Sequence, residues 1–184
     1  VGQSARPGAD LAGLFVSTMI ISVRSASDRP SDLAWIEQQL PRYLEDQGLS
    51  AGSGVFRVLP EYGHAGPDQL RGWLSEPGAT LFTIVDGREP AGFALVLARP
   101  SGSPGVDYRM AEFYIARELR RRGFGRSAAR LILDRFGGRW EIIQNQRNTG
   151  AVAFWRRTLA QYTRGNYREA AAHGEVRQLF GSQR

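Results

Sequence analysis

The chain of 184 residues contains no cysteine and no lysine, and only two histidines. Without cysteine there is no disulfide, no thiolate metal site and no cysteine nucleophile. Without lysine there is no Schiff-base chemistry, and all 24 basic residues are arginine. His64 and His173 stand far apart and lack the spacing of metal ligands, so no metal is expected. No Gly-Lys-Ser/Thr follows a glycine loop, which excludes a P-loop. A dinucleotide fingerprint would need a third glycine where Ala128 stands. Leu11 to Val23 is largely apolar but too short to cross a membrane as a helix, so no membrane partner is expected. No internal repeat or interdomain linker is visible. These absences leave an ordinary globular composition with room for a core, expected to work in the cytoplasm.

What is present is concentrated in one place. The stretch Arg120-Arg121-Arg122-Gly123-Phe124-Gly125-Arg126-Ser127 follows an apolar strand-like run and opens a helix-like one. A strand, a glycine turn and a helix start make an anion site. The first helical amides have no intrahelical partner, the helix dipole adds positive charge, and glycine permits close approach. From Arg117 to Arg139 there are eight arginines against Glu118 and Asp134, a balance of +6 that equals the formal net charge of the chain. Such compact charge suits a phosphate or pyrophosphate better than a long duplex.

The chain reads as one α/β domain, a central twisted mixed sheet of six to seven strands with helices on both faces. Residues 1–18 are expected to be a flexible leader, or residues upstream of the native start, and residues 19–184 the domain. The periodicity predicts a strand over 19–25 and a helix over 32–47, which Pro41 should kink or split. A short strand over 55–59 and a helix over 68–74 follow. Strands over 80–85 and 91–97 join at Asp86-Gly87, a hairpin signal. Then come a strand over 108–116, a helix over 126–136, a strand over 140–144, and a helix over 149–162 capped by Asn148. Strands over 167–172 and 176–180 meet at His173-Gly174.

Two of these pieces together resemble the GNAT superfamily, the Gcn5-related N-acetyltransferases. Arg120-Arg121-Arg122-Gly123-Phe124-Gly125 is similar to the family's acyl-CoA loop. Asn148-Thr149-Gly150-Ala151-Val152-Ala153-Phe154-Trp155 is similar to its N-x-x-A-x-x-F-Y segment. The resemblance runs from Met19 onward and is nearest to predicted bacterial acetyltransferases of unassigned substrate. It implies the acyl-CoA N-acyltransferase fold and acetyl-CoA as co-substrate. On that resemblance the cofactor-binding set is Tyr114, Ile115, Ala116, Arg121, Arg122, Gly123, Phe124, Gly125, Arg126, Ser127, Asn148, Ala151, Phe154 and Trp155. Amides of 121–126 would hold the pyrophosphate, and Asn148 would help hold the pantetheine arm. Strand 110–116 would splay from strand 140–144 to admit that arm, and a strand amide would polarise the thioester carbonyl. Glu112 sits where several members place a general base. Trp155 occupies the place where the family often has a tyrosine that protonates the leaving thiolate.

Transfer from a thioester to an amine needs positioning, an oxyanion donor and a way to deprotonate an ammonium, and it needs no covalent enzyme intermediate. Glu112 is the candidate base, with a structural ion pair as its ordinary alternative. Tyr162 is the candidate acid, ahead of Tyr114 and Tyr167. The implied acceptor is a primary amine, expected to be on a small molecule. Glu45, Asp46 and Glu61 would favour a cation, and Tyr43, Tyr62 and His64 would line the pocket. A non-catalytic acyl-CoA-binding sensor and an acetyltransferase of protein or peptide amines stay open, as does a homodimer. A nucleic-acid partner is not expected, because spaced stacking aromatics and a helix-turn-helix are absent.

Overall fold

The computed structural model describes residues 20–47 and 69–182. The expected leader, the strand over 55–59, and Glu61, Tyr62 and His64 lie outside the described residues. Seven strands form one sheet in the order β1-β2-β3-β4-β5-β7-β6. They are β1 (Ile21–Ser25), β2 (Ala79–Asp86), β3 (Glu89–Ala98), β4 (Tyr108–Ile115), β5 (Arg139–Asn145), β6 (Tyr167–Ala172) and β7 (Glu175–Gly181). Every neighbouring pair is antiparallel except β4 with β5, which is parallel. The helices are α1 (Pro30–Asp46), α2 (Gln69–Ser75), α3 (Phe124–Leu133) and α4 (Thr149–Tyr162). None of the described helices is long and apolar enough to cross a membrane.

Two cores lie on the two faces of the sheet. On one face Ile36, Leu40 and Tyr43 of α1 and Trp73 of α2 pack on Leu81, Phe93, Leu95 and Tyr114. On the other Ala128, Ile132 and Leu133 of α3 and Trp155 and Leu159 of α4 cover Phe82, Ile84, Met110, Trp140 and Ile142. Alternation along each strand sends successive side chains to opposite cores.

Helix α1 is one continuous helix through Pro41, not split there. Pro41 and Glu37, whose carbonyl loses its amide partner, both lie on the exposed side, where water can satisfy that carbonyl. Helix α3 begins at Phe124, two residues before the expected start, and ends at Leu133. Its N-cap is Gly123 with φ +82°, a left-handed conformation that turns the chain into the helix at once.

Strand β4 has two irregularities. Leu95 pairs with Glu112 but Val96 with Met110, so Ala111 is an extra residue, a β-bulge. The bulge puts Glu112 and Tyr114 on the α1 side and Phe113 and Ile115 toward α3 and α4. Second, β4 pairs with β5 only at Tyr108, Arg109 and Met110, although both strands continue. Beyond Met110 the two part, leaving an open wedge in the sheet.

Candidate active site

The wedge opens toward the loop that leads from β4 to α3. Arg121, with φ +64°, and Gly123 bring two left-handed residues into this loop. Ser127 donates its amide to the Gly123 carbonyl, closing the first turn. Among the described residues nothing accepts a hydrogen bond from the amides of Arg121, Arg122, Gly123, Phe124, Gly125 or Arg126. Six successive amides without an acceptor among the described residues, leading into a helix N-terminus, are an anion-binding geometry. The two glycines serve different ends. A Cβ on Gly123 would meet only the Arg126 guanidinium at 3.9 Å, so its glycine is a matter of φ. A Cβ on Gly125 would lie 3.2 Å from the Phe154 ring and 3.4 Å from Ile115, so that glycine lets α3 approach α4 and β4.

Arginines around the loop are mostly committed elsewhere. Arg120 donates Nε to the Ile115 carbonyl at 2.7 Å, lies over the Tyr114 ring and pairs with Asp46. Arg117 pairs with Asp46 at 2.7 Å and Glu45 at 3.0 Å. Glu45 and Asp46 sit unfavourably at the C-terminus of α1, where the helix dipole is negative, and the two arginines neutralise them. Burial alone would raise the Asp46 carboxyl, but the bonds to Arg120 and Arg117 outweigh it and hold it below its ordinary value. These acids therefore tie α1 to the loop and are not free to attract a cationic acceptor. Arg126 donates to Gln161 of α4 at 2.8 Å, and Arg130 pairs with Asp134. Arg121 and Arg122 are exposed, with no partner among the described residues.

Glu112 lies on the other side of the wedge, only 8% exposed. It has no ion pair. Its carboxylate accepts a hydrogen bond from the hydroxyl of Tyr43, on α1. Burial raises the Glu112 carboxyl to about 7, with the Tyr43 bond opposing. Burial, then the Glu112 charge, pushes the Tyr43 phenol well up, so it stays a donor. Tyr43 itself is wedged edge-on among Phe93, Trp73 and Tyr114.

The remaining expected residues divide. Asn148 caps α4 as expected, its Oδ1 accepting from the Ala151 amide at 3.0 Å. Its Nδ2 is already given to Gln47 at the end of α1, at 3.3 Å. The Ala116 amide is spent on the Ala91 carbonyl of β3. By strand alternation the amides of Phe113 and Ile115 face the wedge instead. Tyr114 turns its ring away from the wedge to stack on Phe93, and its buried hydroxyl has no hydrogen-bond partner among the described residues. Phe154 stacks on Phe113 at 5.6 Å and backs the loop through Gly125. Trp155, expected at the cofactor, is instead a core residue, 4% exposed and edge-on to Phe113. It belongs to the buried stripe Val152, Trp155, Leu159.

Tyr162 is placed apart. Its hydroxyl bonds Asp134, the C-cap of α3, at 3.0 Å, and its ring packs on Phe180. The loop is at the opposite end of α3, about 15 Å away along the helix axis. The acid role expected of Tyr162 does not fit that position. Sequence reading missed Phe113 and Gln47, and placed Tyr43 only as a pocket residue. A surface concavity of about 610 Å³, lined by Pro77, Gly78, Arg99, Asp107 and Tyr108, lies at the other end of the sheet, where β4 begins, and is not part of this site. Among the described residues no three His, Cys, Asp or Glu side chains gather to hold a metal.

Comparison with known proteins gives the same architecture. The model of the Acetyltransferase (GNAT) family matches residues 40–160. No curated protein matches in sequence. Among solved structures, PaiA N-acetyltransferase from Thermoplasma acidophilum in complex with coenzyme A aligns with TM-score 0.62 and 11% identity, covering 89% of this chain and 99% of that one. An aminoglycoside acetyltransferase in complex with coenzyme A and kanamycin aligns with TM-score 0.60 and 12% identity, covering 89% and 96%. The spermidine/spermine N-acetyltransferase SpeG from Vibrio cholerae aligns with TM-score 0.55 and 14% identity, covering 88% and 95%.

Proposed function

The chain belongs to the acetyltransferase (GNAT) family, and from that premise we propose that it moves an acetyl group from acetyl-CoA directly to a primary amine of a small molecule. The observation that carries this is the run of six unpartnered amides, 121–126, at the mouth of a wedge whose other side holds the buried Glu112. The donor set fits the co-substrate. The amides and the α3 dipole would take the pyrophosphate, with Arg121 and Arg122 adding charge. The wedge between β4 and β5 would take the pantetheine arm, with Phe113 and Phe154 as an apolar wall. When bound there, the thioester supplies the activated acetyl group.

Glu112 takes the proton from the incoming ammonium, which frees the nitrogen lone pair. The nitrogen then attacks the thioester carbon. The amide of Phe113 or Ile115 donates to the oxyanion that forms. The carbon–sulfur bond breaks as the oxyanion collapses, and the electron pair leaves on sulfur. A thiol is a much stronger acid than an alcohol or an amine, so the thiolate is a good leaving group and departs without a strong acid beside it. That removes the need for Tyr162. A base that titrates near neutral pH is well matched to this step, since it is both ionised and basic there. Small-molecule acceptors are favoured by structural relatives that act on spermidine and spermine or hold kanamycin.

The test is a panel of amines assayed for release of free CoA thiol, beside calorimetric titration of acetyl-CoA. Binding near one to one with turnover on at least one amine is expected. Binding without turnover on any amine would make the chain an acyl-CoA-binding sensor. No binding would remove the loop from the reading altogether.

A further inference from the structure

Beyond Met110 and Ile142 the ladder between β4 and β5 stops, but side chains still join the two sides of the wedge. Helix α1 covers one face of the sheet and α4 the other, and their ends meet at the open end of the gap. The last turn of α1 is fixed to the β4 side. Tyr43 donates to Glu112, and Asp46 pairs with Arg117 and Arg120, just after β4. The start of α4 is fixed to the β5 side, where the Asn148 amide donates at 2.9 Å to the carbonyl of Asn145, the last residue of β5. Between these two ends runs one side-chain bond, from Asn148 Nδ2 to Gln47 Oε1 at 3.3 Å. The Ala151 amide can only donate, so it takes Asn148 Oδ1 and leaves Nδ2 to face Gln47.

We propose that the Gln47–Asn148 bond is a latch across the open end of the wedge, in which Gln47 Oε1 and a carbonyl oxygen of the pantetheine arm compete for Asn148 Nδ2. The inference rests on the reading of the wedge as the channel for that arm. An arm that enters the wedge passes between the ends of α1 and α4, where the bond lies. Pantetheine is built from amides, and an amide carbonyl is the same kind of acceptor as the glutamine side chain, so Asn148 exchanges one partner for another of equal quality. Gln47 and Asn148 are both half-buried, so water reaches the bond and can take over the released Gln47 oxygen. The anchors on either side remain in place when the latch opens. Asn148 keeps its cap through Oδ1, and α1 keeps the Tyr43 and Asp46 contacts. A neutral hydrogen bond that competes with water shifts an equilibrium by about 2- to 12-fold, and at 3.3 Å this one belongs at the lower end of that range. Acetyl-CoA must overcome that factor to bind.

The test is calorimetric titration of the full chain with acetyl-CoA and, separately, with ADP, which carries the pyrophosphate without the arm. Gln47→Ala removes the competing oxygen and should bind acetyl-CoA about two- to fivefold more tightly than the wild type. Its affinity for ADP should not change. Asn148→Ser keeps a good helix cap, adds no charge and removes the Nδ2 donor, so it should bind acetyl-CoA more weakly. In the Asn148→Ser background, Gln47→Ala should bring no gain, because nothing is left to compete for. Unchanged or weaker acetyl-CoA binding in Gln47→Ala overturns the latch, weaker binding meaning that Gln47 itself holds the co-substrate. An equal gain for ADP, or the same gain in the Asn148→Ser background, also overturns it. Should Asn148→Ser fail to fold, Gln47→Ala with the two ligands still decides. A wild type that binds no acetyl-CoA removes the channel and the latch together, whereas a wild type that binds it with no gain in Gln47→Ala removes the latch alone.

Discussion

Glu112→Gln should stabilise the protein at alkaline pH while it disables it. The wild-type carboxyl is raised from 4.5 to about 7, because burial strips its water and the single Tyr43 bond does not replace it. Between those two values the unfolded chain has lost the proton and the folded chain retains it. Unfolding then releases a proton, so stability falls as pH rises. At 1.36 kcal/mol per pH unit, the 2.5-unit window corresponds to about 3 kcal/mol lost between pH 4.5 and 7, and level above it. Glutamine fills the same volume, can still accept from Tyr43 and does not titrate. Any fixed cost of its amide N–H is the same at every pH. The variant should therefore gain on the wild type by about 3 kcal/mol from pH 4.5 to 7.5, or roughly 6–12 °C in Tm for a domain of this size. The assay is urea or thermal unfolding of both proteins across pH 4.5–8.5, read as a difference so that all other titrations cancel. Parallel curves would mean that Glu112 is solvated and ordinary, and the case for it as a tuned base would go with them. If the base reading holds, turnover of the same variant should drop about 10²–10⁴-fold.

Other outcomes rest on the same geometry. Gly123→Asp puts a carboxylate in the middle of the run of unpartnered amides, on a left-handed residue, and calorimetry should show acetyl-CoA binding abolished. Gly125→Val drives its side chain into the Phe154 ring, already 3.2 Å from an added Cβ, and should cost about 1–3 kcal/mol in urea unfolding; an unchanged midpoint would deny the close approach of α3. Glu141→Ala strands Arg109, 4% exposed and bonded to Glu141 at 3.0 Å, and should cost about 3–5 kcal/mol. Replacing Arg109 and Glu141 together by methionine should recover most of that loss, and a double variant as unstable as Glu141→Ala would refute the account.

What the sequence disclosed and what it hid divide by distance along the chain. The β4–α3 loop and the α4 cap are each written in a few consecutive residues, where local chemistry dictates the backbone. Gly123 takes a positive φ, Asn148 caps, and both are readable without the fold. The Asp86-Gly87 hairpin is local in the same way. Pro41 is a residue whose effect depends on where Glu37 faces, which only tertiary structure decides. The start of α3 reads late in the sequence because its apolar periodicity begins at Ala128, whereas the helix is initiated by the backbone of Gly123. The Glu112–Tyr43 bond joins residues 69 apart in sequence, and no pattern announces it. Two placements could have been read from the pattern alone. Trp155 shares a helical stripe with Val152 and Leu159, which is a core signature. Tyr162 lies fourteen residues after the cap at Asn148, about 21 Å along α4, too far to share a reacting centre with the cap end.

Charge misled for a related reason. The balance of +6 over 117–139 suggested a strongly basic phosphate cradle. Folding returns much of that charge to the protein itself: Arg117 and Arg120 go to Glu45 and Asp46, and Arg130 goes to Asp134. Arg120 also grips the Ile115 carbonyl, so the first arginine of the loop motif holds the loop to its strand. The attraction left for an anion comes from two exposed arginines and a row of backbone amides. Amides and dipoles act at contact range, while exposed charges are screened within about 8 Å at physiological salt. Acetyl-CoA affinity in such a site should depend on salt only as strongly as one or two arginines require. A substitution that alters the backbone at Gly123 should matter more than one that removes a nearby arginine side chain, because the site is built from the turn and the charge only supplements it.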